Sequence, residues 1–139
     1  MSKEPSALGS CNCGAVKFAV FSELADVYVC HCSICRKSTG SGGIAVSVVA
    51  NTAFEFTEGV DYISRWDKPN HDWMKHFCRV CGSPLPGEND QQTTFIPVSL
   101  LDSGDKNLTV KHHIFVDSKA CWEQIPRDGK HHNSAFEGE

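Results

Sequence analysis

The sequence predicts an all-β fold, an open sandwich or barrel of short antiparallel strands. Residues 14–21, GAVKFAVF, alternate apolar and other side chains with the period of a half-buried strand. Several more short apolar stretches follow, separated by small or polar residues. Only residues 34–40 and 118–125 could hold a helical turn or two, so alternating strand–helix units are not expected.

Each further strand is predicted from its own run of apolar and β-branched residues. The first, DVYVC at residues 26–30, leads directly into a cluster of cysteines. The later strands are predicted at GGIAVSVVA (42–50), AFEFTEG (53–59), VDYISRW (60–66), MKHFC (74–78), TFIPVSLLD (94–102) and LTVKHHIFV (108–116). The clustered cysteines therefore fall on turns between strands.

Size and charge limit the classes of function that fit. A chain of 139 residues has the usual length of one domain, so we expect a single domain over residues 1–139. A formal net charge of -4 argues against a general nucleic-acid surface, which is usually basic. The opening residues do not resemble a secretory leader, and no apolar run reaches the length of a bilayer. We therefore expect a cytoplasmic protein without nucleic-acid or membrane partners, and the oligomeric state stays open.

Eight cysteines are the unusual feature of the composition, and seven of them lie in tight clusters. A disulfide framework would need an oxidising compartment, and partners one or two residues apart rarely bridge each other. Packing as small apolar side chains fits Cys121 but not the clustered cysteines. Shared metal binding fits the clusters best, and we expect two zinc ions per chain.

One cluster predicts a closed structural zinc site. FCRVCGSPL at residues 77–85 has the form of a zinc knuckle, in which a glycine after the second cysteine lets the chain turn around the metal. It supplies Cys78 and Cys81, and the early pair Cys11 and Cys13 can supply two more ligands. Four thiolates complete a tetrahedral site and leave no position for a substrate.

The other cluster, CHCSICRKSTGS at residues 30–41, offers three thiols where a closed site needs four. Cys30, Cys32 and Cys35 would leave one position open, and this is the arrangement of a catalytic zinc. Three thiolates suit a soft incoming ligand, so the expected chemistry is activation of a substrate thiol. The alternative is that a fourth protein ligand closes the site, with Cys121, His31 and His76 as candidates.

These motifs together resemble a known family. SCNCGAVKF, CHCSICRKSTGS, FCRVCGSPL and HIFVDSKACW occur in the order found in the glutathione-dependent formaldehyde-activating enzymes, a family that includes centromere protein V-like proteins. The resemblance implies a tent-like all-β fold with a structural zinc on Cys11, Cys13, Cys78 and Cys81 and a catalytic zinc on Cys30, Cys32 and Cys35. It also implies a carbon–sulfur lyase that joins glutathione, or a related small thiol, to formaldehyde or a related small aldehyde. Family members commonly have proline where this chain has Cys121, so the role of this extra thiol stays open.

Polar residues beside the triple cysteine motif are candidates for substrate binding. Arg36 and Lys37 could pair with substrate carboxylates, and the small residues that end at Ser41 could present N–H groups to an anion. Solvated surface charge and a plain turn are the alternatives. Surface positions are expected for His112, His113, His131 and His132. The competing function, from a different class, is a zinc-stabilised β module that binds a partner without catalysis.

Overall fold

The computed structural model describes residues 4–136 and is mostly β-structure, as the sequence predicts. One α-helix, α1, spans Ser33–Thr39. The strands are β1 (Ala7–Ser10), β2 (Lys17–Val20), β3 (Asp26–Cys30), β4 (Ile44–Ala50), β5 (Phe54–Glu58), β6 (Ile63–Asp67), β7 (Met74–Cys78), β8 (Pro84–Leu85), β9 (Gly87–Glu88), β10 (Thr93–Pro97), β11 (Leu101–Ser103), β12 (Thr109–Ile114) and β13 (Lys130–His131). Among the described residues, no helix has the length and apolar character needed to cross a membrane.

These residues form two compact units. The first contains the chain up to Leu24 together with Ser47–Asn107, and the second contains Ala25–Val46 together with the chain from Leu108 onwards. Strand β4 contributes residues to each unit. The expectation of one domain over residues 1–139 stays a prediction.

The first unit is built from small antiparallel sheets. Strands β11, β1, β2 and β5 form one of them in this order, and β6, β7 and β8 form another. Val16, Phe18 and Val20 are buried as the alternation predicts, but Ala19 on the other face of β2 is buried too, so the strand is more deeply buried than the predicted half-buried strand. Gly9 lies opposite Phe18 in β1, and any side chain at Gly9 would collide with the Phe18 ring. A glycine is therefore needed here for this aromatic ring to pack against the sheet.

The second unit is centred on β3. The start of β4 pairs with β3 in the antiparallel direction, whereas β12 pairs with β3 in parallel. Strand β13 lies parallel to β12 on its other edge. Helix α1 follows β3 closely and is capped at its C-terminal end by Gly40, whose φ of 67° is in the left-handed region. The helical turn predicted at residues 34–40 is thus confirmed, and it begins one residue earlier.

The predicted surface position of the four histidines is wrong for three of them. His112, His113 and His132 are buried, and His131 alone of the four is exposed. His112 Nδ1 lies 3.0 Å from His132 Nε2, and Tyr28 stacks on the His112 ring. These histidines are buried because they contact one another and aromatic rings, which compensates for their loss of water.

Candidate metal centres

The first candidate centre brings together Cys11, Cys13, Cys78 and Cys81. Their sulfur atoms all lie within 4.8 Å of one another. Two of the separations are 3.6 Å, between Cys11 and Cys13, and 3.8 Å, between Cys13 and Cys78. Residues more than 60 positions apart in the sequence therefore converge on one small volume, which confirms the predicted grouping of these four cysteines as a possible metal site.

Two tight turns place these sulfurs. Cys11 follows β1, and its sulfur accepts a hydrogen bond from the Val16 N–H at 3.3 Å. Cys78 ends β7, and Gly82 returns the chain by donating its N–H to the Cys78 carbonyl at 2.7 Å with a φ of 79°. A positive φ strongly favours glycine, so the knuckle turn depends on Gly82.

The cluster has one buried and one exposed side. Cys11 and Cys78 pack with Val16 and Leu85 in an apolar core, whereas Cys13 and Cys81 are exposed. The Ser83 hydroxyl, 3.3 Å from Cys81 Sγ, and the Ser83 N–H lower the pKa of Cys81 to about 5. Ser83 Oγ also accepts from the Asn12 N–H at 2.9 Å. Cys81 therefore favours the thiolate, the form that binds metals. The other exposed thiol behaves differently: a hydrogen bond from the Ala15 N–H lowers the pKa of Cys13, but burial and contacts with the other three sulfurs outweigh it and raise this pKa to about 11.

The second candidate centre contains Cys30, Cys32 and Cys35, whose sulfur atoms also lie within 4.8 Å of one another. Cys30 ends β3, and Cys32 is the N-cap of α1, where its sulfur accepts a hydrogen bond from the Cys35 N–H at 3.4 Å. Cys35 lies in the first turn of the helix and is buried. The strand end, the cap and the first helical turn thus direct three sulfurs at one point.

Contacts among these three thiols shift their pKa values in opposite directions. Hydrogen bonds from the thiols of Cys30 and Cys35 lower the pKa of Cys32 to about 2. The interaction with Cys32 raises the pKa of Cys30 to about 11, and contacts with Cys30 and Cys32 raise the pKa of Cys35. Cys32 is therefore favoured to lose its proton before Cys30 and Cys35, and its thiolate offers an initial ligand to a soft metal ion.

None of the three candidates for a fourth ligand joins this cluster. His31 lies between Cys30 and Cys32 in sequence, but both of its ring nitrogens contact other side chains. His76 places its Nδ1 3.0 Å from the Pro86 carbonyl. Cys121 is exposed. In the described part of the chain, Cys30, Cys32 and Cys35 are thus the whole group of Cys, His, Asp and Glu ligand atoms that converges here.

The three predicted substrate-binding residues lie in or just after α1, and their exposure differs. Arg36 is partly buried, and its Nε is shielded from solvent without a hydrogen-bond partner. Lys37 and Ser41 are exposed. The Ser41 N–H donates to the Arg36 carbonyl at 3.3 Å and so takes part in ending the helix. Of the three residues, Arg36 is therefore the one with a buried hydrogen-bond donor that lacks an acceptor.

Sequence analysis missed two carboxylates and one histidine that connect to the three-cysteine segment. Glu123 contacts the His31 ring, and His113 contacts the other side of this ring and also Asp128. The carboxylates lie in a polar segment near the C-terminal end of the described chain, without a motif to single them out. The alternation of His112 and His113 along a strand directs them to opposite faces, and both faces of β12 are buried at this point.

Comparisons with known proteins agree with this arrangement. The family described as "Glutathione-dependent formaldehyde-activating enzyme" matches residues 6–118 of the chain. A protein of Halomonas elongata, provisionally named glutathione-dependent formaldehyde-activating enzyme, is 30% identical over 124 residues, which cover 84% of this chain and 79% of the relative.

A solved structure also resembles the chain. The crystal structure of a Rhodobacter sphaeroides protein superposes with a TM-score of 0.57 at 25% identity, over 68% of this chain and 87% of that protein. Most of the sequence, including both cysteine clusters, lies inside the matched family region. The chain belongs to the glutathione-dependent formaldehyde-activating enzyme family.

Proposed function

We propose that the protein is a zinc-dependent enzyme of the carbon–sulfur lyase type, which binds glutathione or a similar small thiol and forms or breaks its adduct with formaldehyde or a related aldehyde. The observation that carries the proposal is the convergence of Cys30, Cys32 and Cys35 with no fourth ligand atom from residues 4–136. A metal held by these three thiolates would have room for the sulfur of the substrate as a further ligand. Family membership supports the same chemistry.

The donor sets fit zinc at both centres. Thiolates are soft ligands, and four of them form a common structural zinc site, so Cys11, Cys13, Cys78 and Cys81 would hold a structural ion. Cys30, Cys32 and Cys35 would hold the ion used in the reaction. When bound there, zinc lowers the pKa of a coordinated thiol and keeps it as a thiolate.

The proposed reaction is balanced without a further co-reactant. The substrate sulfur attacks the aldehyde carbon, a carbon–sulfur bond forms, and the electron pair of the carbonyl π bond moves to oxygen. The proton released by the thiol ends on this oxygen, which gives a hydroxymethyl thioether. The reverse reaction breaks the same bond and returns the thiol and the aldehyde.

Arg36 is the residue that we propose for recognition of the substrate carboxylates. It follows Cys35 directly, and its buried, unpartnered Nε can donate to a carboxylate that binds beside the cluster. Lys37 and Ser41 are exposed and would contribute more weakly from the same segment. Arg36→Gln should therefore raise the KM for glutathione more than Lys37→Gln does, with kcat changed less than KM.

The same proposal places the protein in the cytoplasm. All eight cysteines are free, and the two clusters bind metal only as reduced thiolates. Cytosolic glutathione keeps thiols reduced, and it would also serve as substrate.

The decisive experiment measures exchange between glutathione and its formaldehyde adduct by NMR, with and without the zinc-loaded protein. We expect faster exchange with the parent, and none of this acceleration with Cys32→Ser or after zinc is removed by a chelator. Equal exchange rates in all samples would refute the enzyme and favour a zinc-stabilised binding module. Metal content measured on the same samples shows that the parent was loaded.

A further inference from the structure

Four polar side chains of the second unit form a continuous hydrogen-bonded chain, which we call the His31 relay. Glu123 Oε1 lies 3.3 Å from His31 Nδ1, His31 Nε2 lies 2.9 Å from His113 Nδ1, and His113 Nε2 lies 2.7 Å from Asp128 Oδ1. The residues come from the turn after β3, from β12 and from the segment that follows β12. The relay therefore ties together three parts of the unit that are distant in sequence.

The two rings at the centre of the relay are buried, whereas its two ends reach solvent. His31 and His113 are 2% and 3% exposed, and the side chains of Glu123 and Asp128 are 24% and 49% exposed. Ionised carboxylates can only accept, so His31 Nδ1 and His113 Nε2 face acceptors, and the two remaining ring nitrogens face each other. Two neutral rings that both donate to carboxylates would meet lone pair to lone pair, so three unbroken hydrogen bonds need three protons on the four ring nitrogens. Each ring nitrogen lies within hydrogen-bond distance of a polar partner, and rotation of either ring would break these buried contacts.

The relay holds the backbone between two predicted metal ligands. His31 is the residue between Cys30 and Cys32 in the sequence, and its backbone N–H donates a hydrogen bond to the Ile114 carbonyl at 3.0 Å. Packing leaves little freedom on the other side, because a side chain at Gly43 would collide with the Cys30 carbonyl and press on His31 Nδ1. The buried contacts of His31 therefore add to the strand pairing of Cys30 in holding the backbone between Cys30 and Cys32.

Glu123 is itself held in a defined place. Its N–H donates to the Ala120 carbonyl at 3.1 Å, and its carbonyl accepts from Lys119 Nζ at 2.9 Å. Its carboxylate lies over Gly42, where a side chain would come within 2.5 Å of Glu123 Oε2. The backbone of Glu123 is thus held by a closed turn, from which its carboxylate reaches His31.

We propose that Glu123, His113 and Asp128 are positioning residues for the three-cysteine metal centre, and that they act through His31. This inference rests on the proposed binding of metal by Cys30, Cys32 and Cys35, and it adds the residues that keep these sulfurs at the spacing the metal needs. Groups that orient metal ligands commonly change metal affinity by about 10- to 100-fold when they are removed. The relay would have this effect through the backbone, since His31 is not a ligand.

The test follows each metal centre separately in the full-length protein loaded with cadmium-113, because each centre gives its own NMR resonance. Glu123→Ala should shift or broaden the resonance of the three-cysteine centre and weaken its cadmium affinity by about 10-fold. The resonance of the four-cysteine centre should stay in place. Asp128→Ala, at the other end of the relay, should change the same resonance in the same direction with a smaller loss of affinity.

Two matched variants separate positioning from a general loss of stability. Glu123→Gln keeps an oxygen that accepts from His31, so it should stay within about 3-fold of the parent affinity, because a neutral acceptor makes a weaker bond than a charged one. Asp117→Ala removes an exposed carboxylate from the same segment and should leave both resonances unchanged.

Two outcomes would overturn the inference. The first is an unchanged three-cysteine resonance and affinity in Glu123→Ala and Asp128→Ala. The second is an equal disturbance of both centres, which would show that the relay only stabilises the fold. Neither outcome depends on glutathione or formaldehyde. If the parent protein does not accelerate the exchange of glutathione with its formaldehyde adduct but the cadmium result is as expected, the proposed function is refuted and the positioning role is retained.

Discussion

Replacement of Cys78 by serine should remove both the structural metal and most of the stability of the protein. Cys78 is fully buried, at 0% exposure, in the core that also contains Cys11, Val16 and Leu85. A structural zinc site contributes on the order of 10–16 kcal/mol, so one of four ligands represents about 2.5–4 kcal/mol, and this is a lower bound because the variant should lose the whole ion. The serine hydroxyl adds a cost of about 1–3 kcal/mol if it is left without a partner in this core.

The expected loss of at least about 3.5–7 kcal/mol is a large part of the stability of a small domain, about 5–15 kcal/mol. At roughly 3–4 °C for each kcal/mol in a chain of this length, Cys78→Ser should lower Tm by more than about 10 °C. Thermal unfolding followed by far-ultraviolet circular dichroism measures this shift. Zinc content after gel filtration should fall by one equivalent.

Two further variants divide this effect into its parts. Cys13→Ser removes a ligand from the exposed side of the same cluster, so it should lose the metal contribution without the cost of a buried hydroxyl. Cys121→Ser changes an exposed cysteine outside both clusters and should leave metal content and Tm unchanged. A Cys78→Ser protein that keeps two zinc ions and melts like the parent would refute the structural role of this cluster.

Three other predictions concern the three-cysteine centre. Cys32→Ser should lose about one equivalent of zinc with little change in far-ultraviolet circular dichroism, and complete unfolding of this variant would contradict the separation of roles between the two centres. With cobalt in place of zinc, glutathione should strengthen the sulfur-to-metal charge-transfer absorption, because its thiolate becomes a further sulfur ligand. The increase should be equal in the parent and in Cys121→Ala. A larger increase in Cys121→Ala would show that Cys121 is a ligand of the metal. The pKa of Cys30 is raised to about 11 and the pKa of Cys35 is also raised, so metal binding near neutral pH must displace two protons. The affinity of this centre for zinc, measured by chelator competition, should therefore rise by about 100-fold per pH unit. A pH-independent affinity would contradict the unequal sharing of protons.

The cysteine clusters could be predicted from sequence because their geometry is largely local. Two cysteines separated by one or two residues on a tight turn direct their sulfurs to one point independently of the rest of the fold. Cys78 and Cys81 are an example, because the turn at Gly82 brings their sulfurs together. The convergence of Cys11 and Cys13 with this knuckle is not local, since more than 60 residues separate the two pairs, and the four converging sulfurs confirm it. The alternation that predicted β2 is local in the same sense.

The surroundings of the three-cysteine centre could not be predicted in this way. His113 was expected at the surface, because histidine is neither strongly apolar nor part of a motif here. It is buried because its partners, His31 and Asp128, are supplied by distant parts of the chain. The parallel pairing of β3 with β12 was equally invisible, since strands so far apart leave no common turn signal. Contacts of this kind are decided by the tertiary fold alone.

The pairing of β3 with β12 also has a consequence for the biosynthesis of the protein. His31 emerges from the ribosome 82 residues before His113, the partner that holds it in place. At about 5–20 residues per second, the nascent chain carries the three cysteine thiols for roughly 4–16 s before β12 has been made. During this interval Cys30, Cys32 and Cys35 lack the neighbouring strand that supports them in the folded unit. A metal ion captured so early would meet an unsupported peptide, so lasting occupancy of this centre is expected to follow the completion of translation.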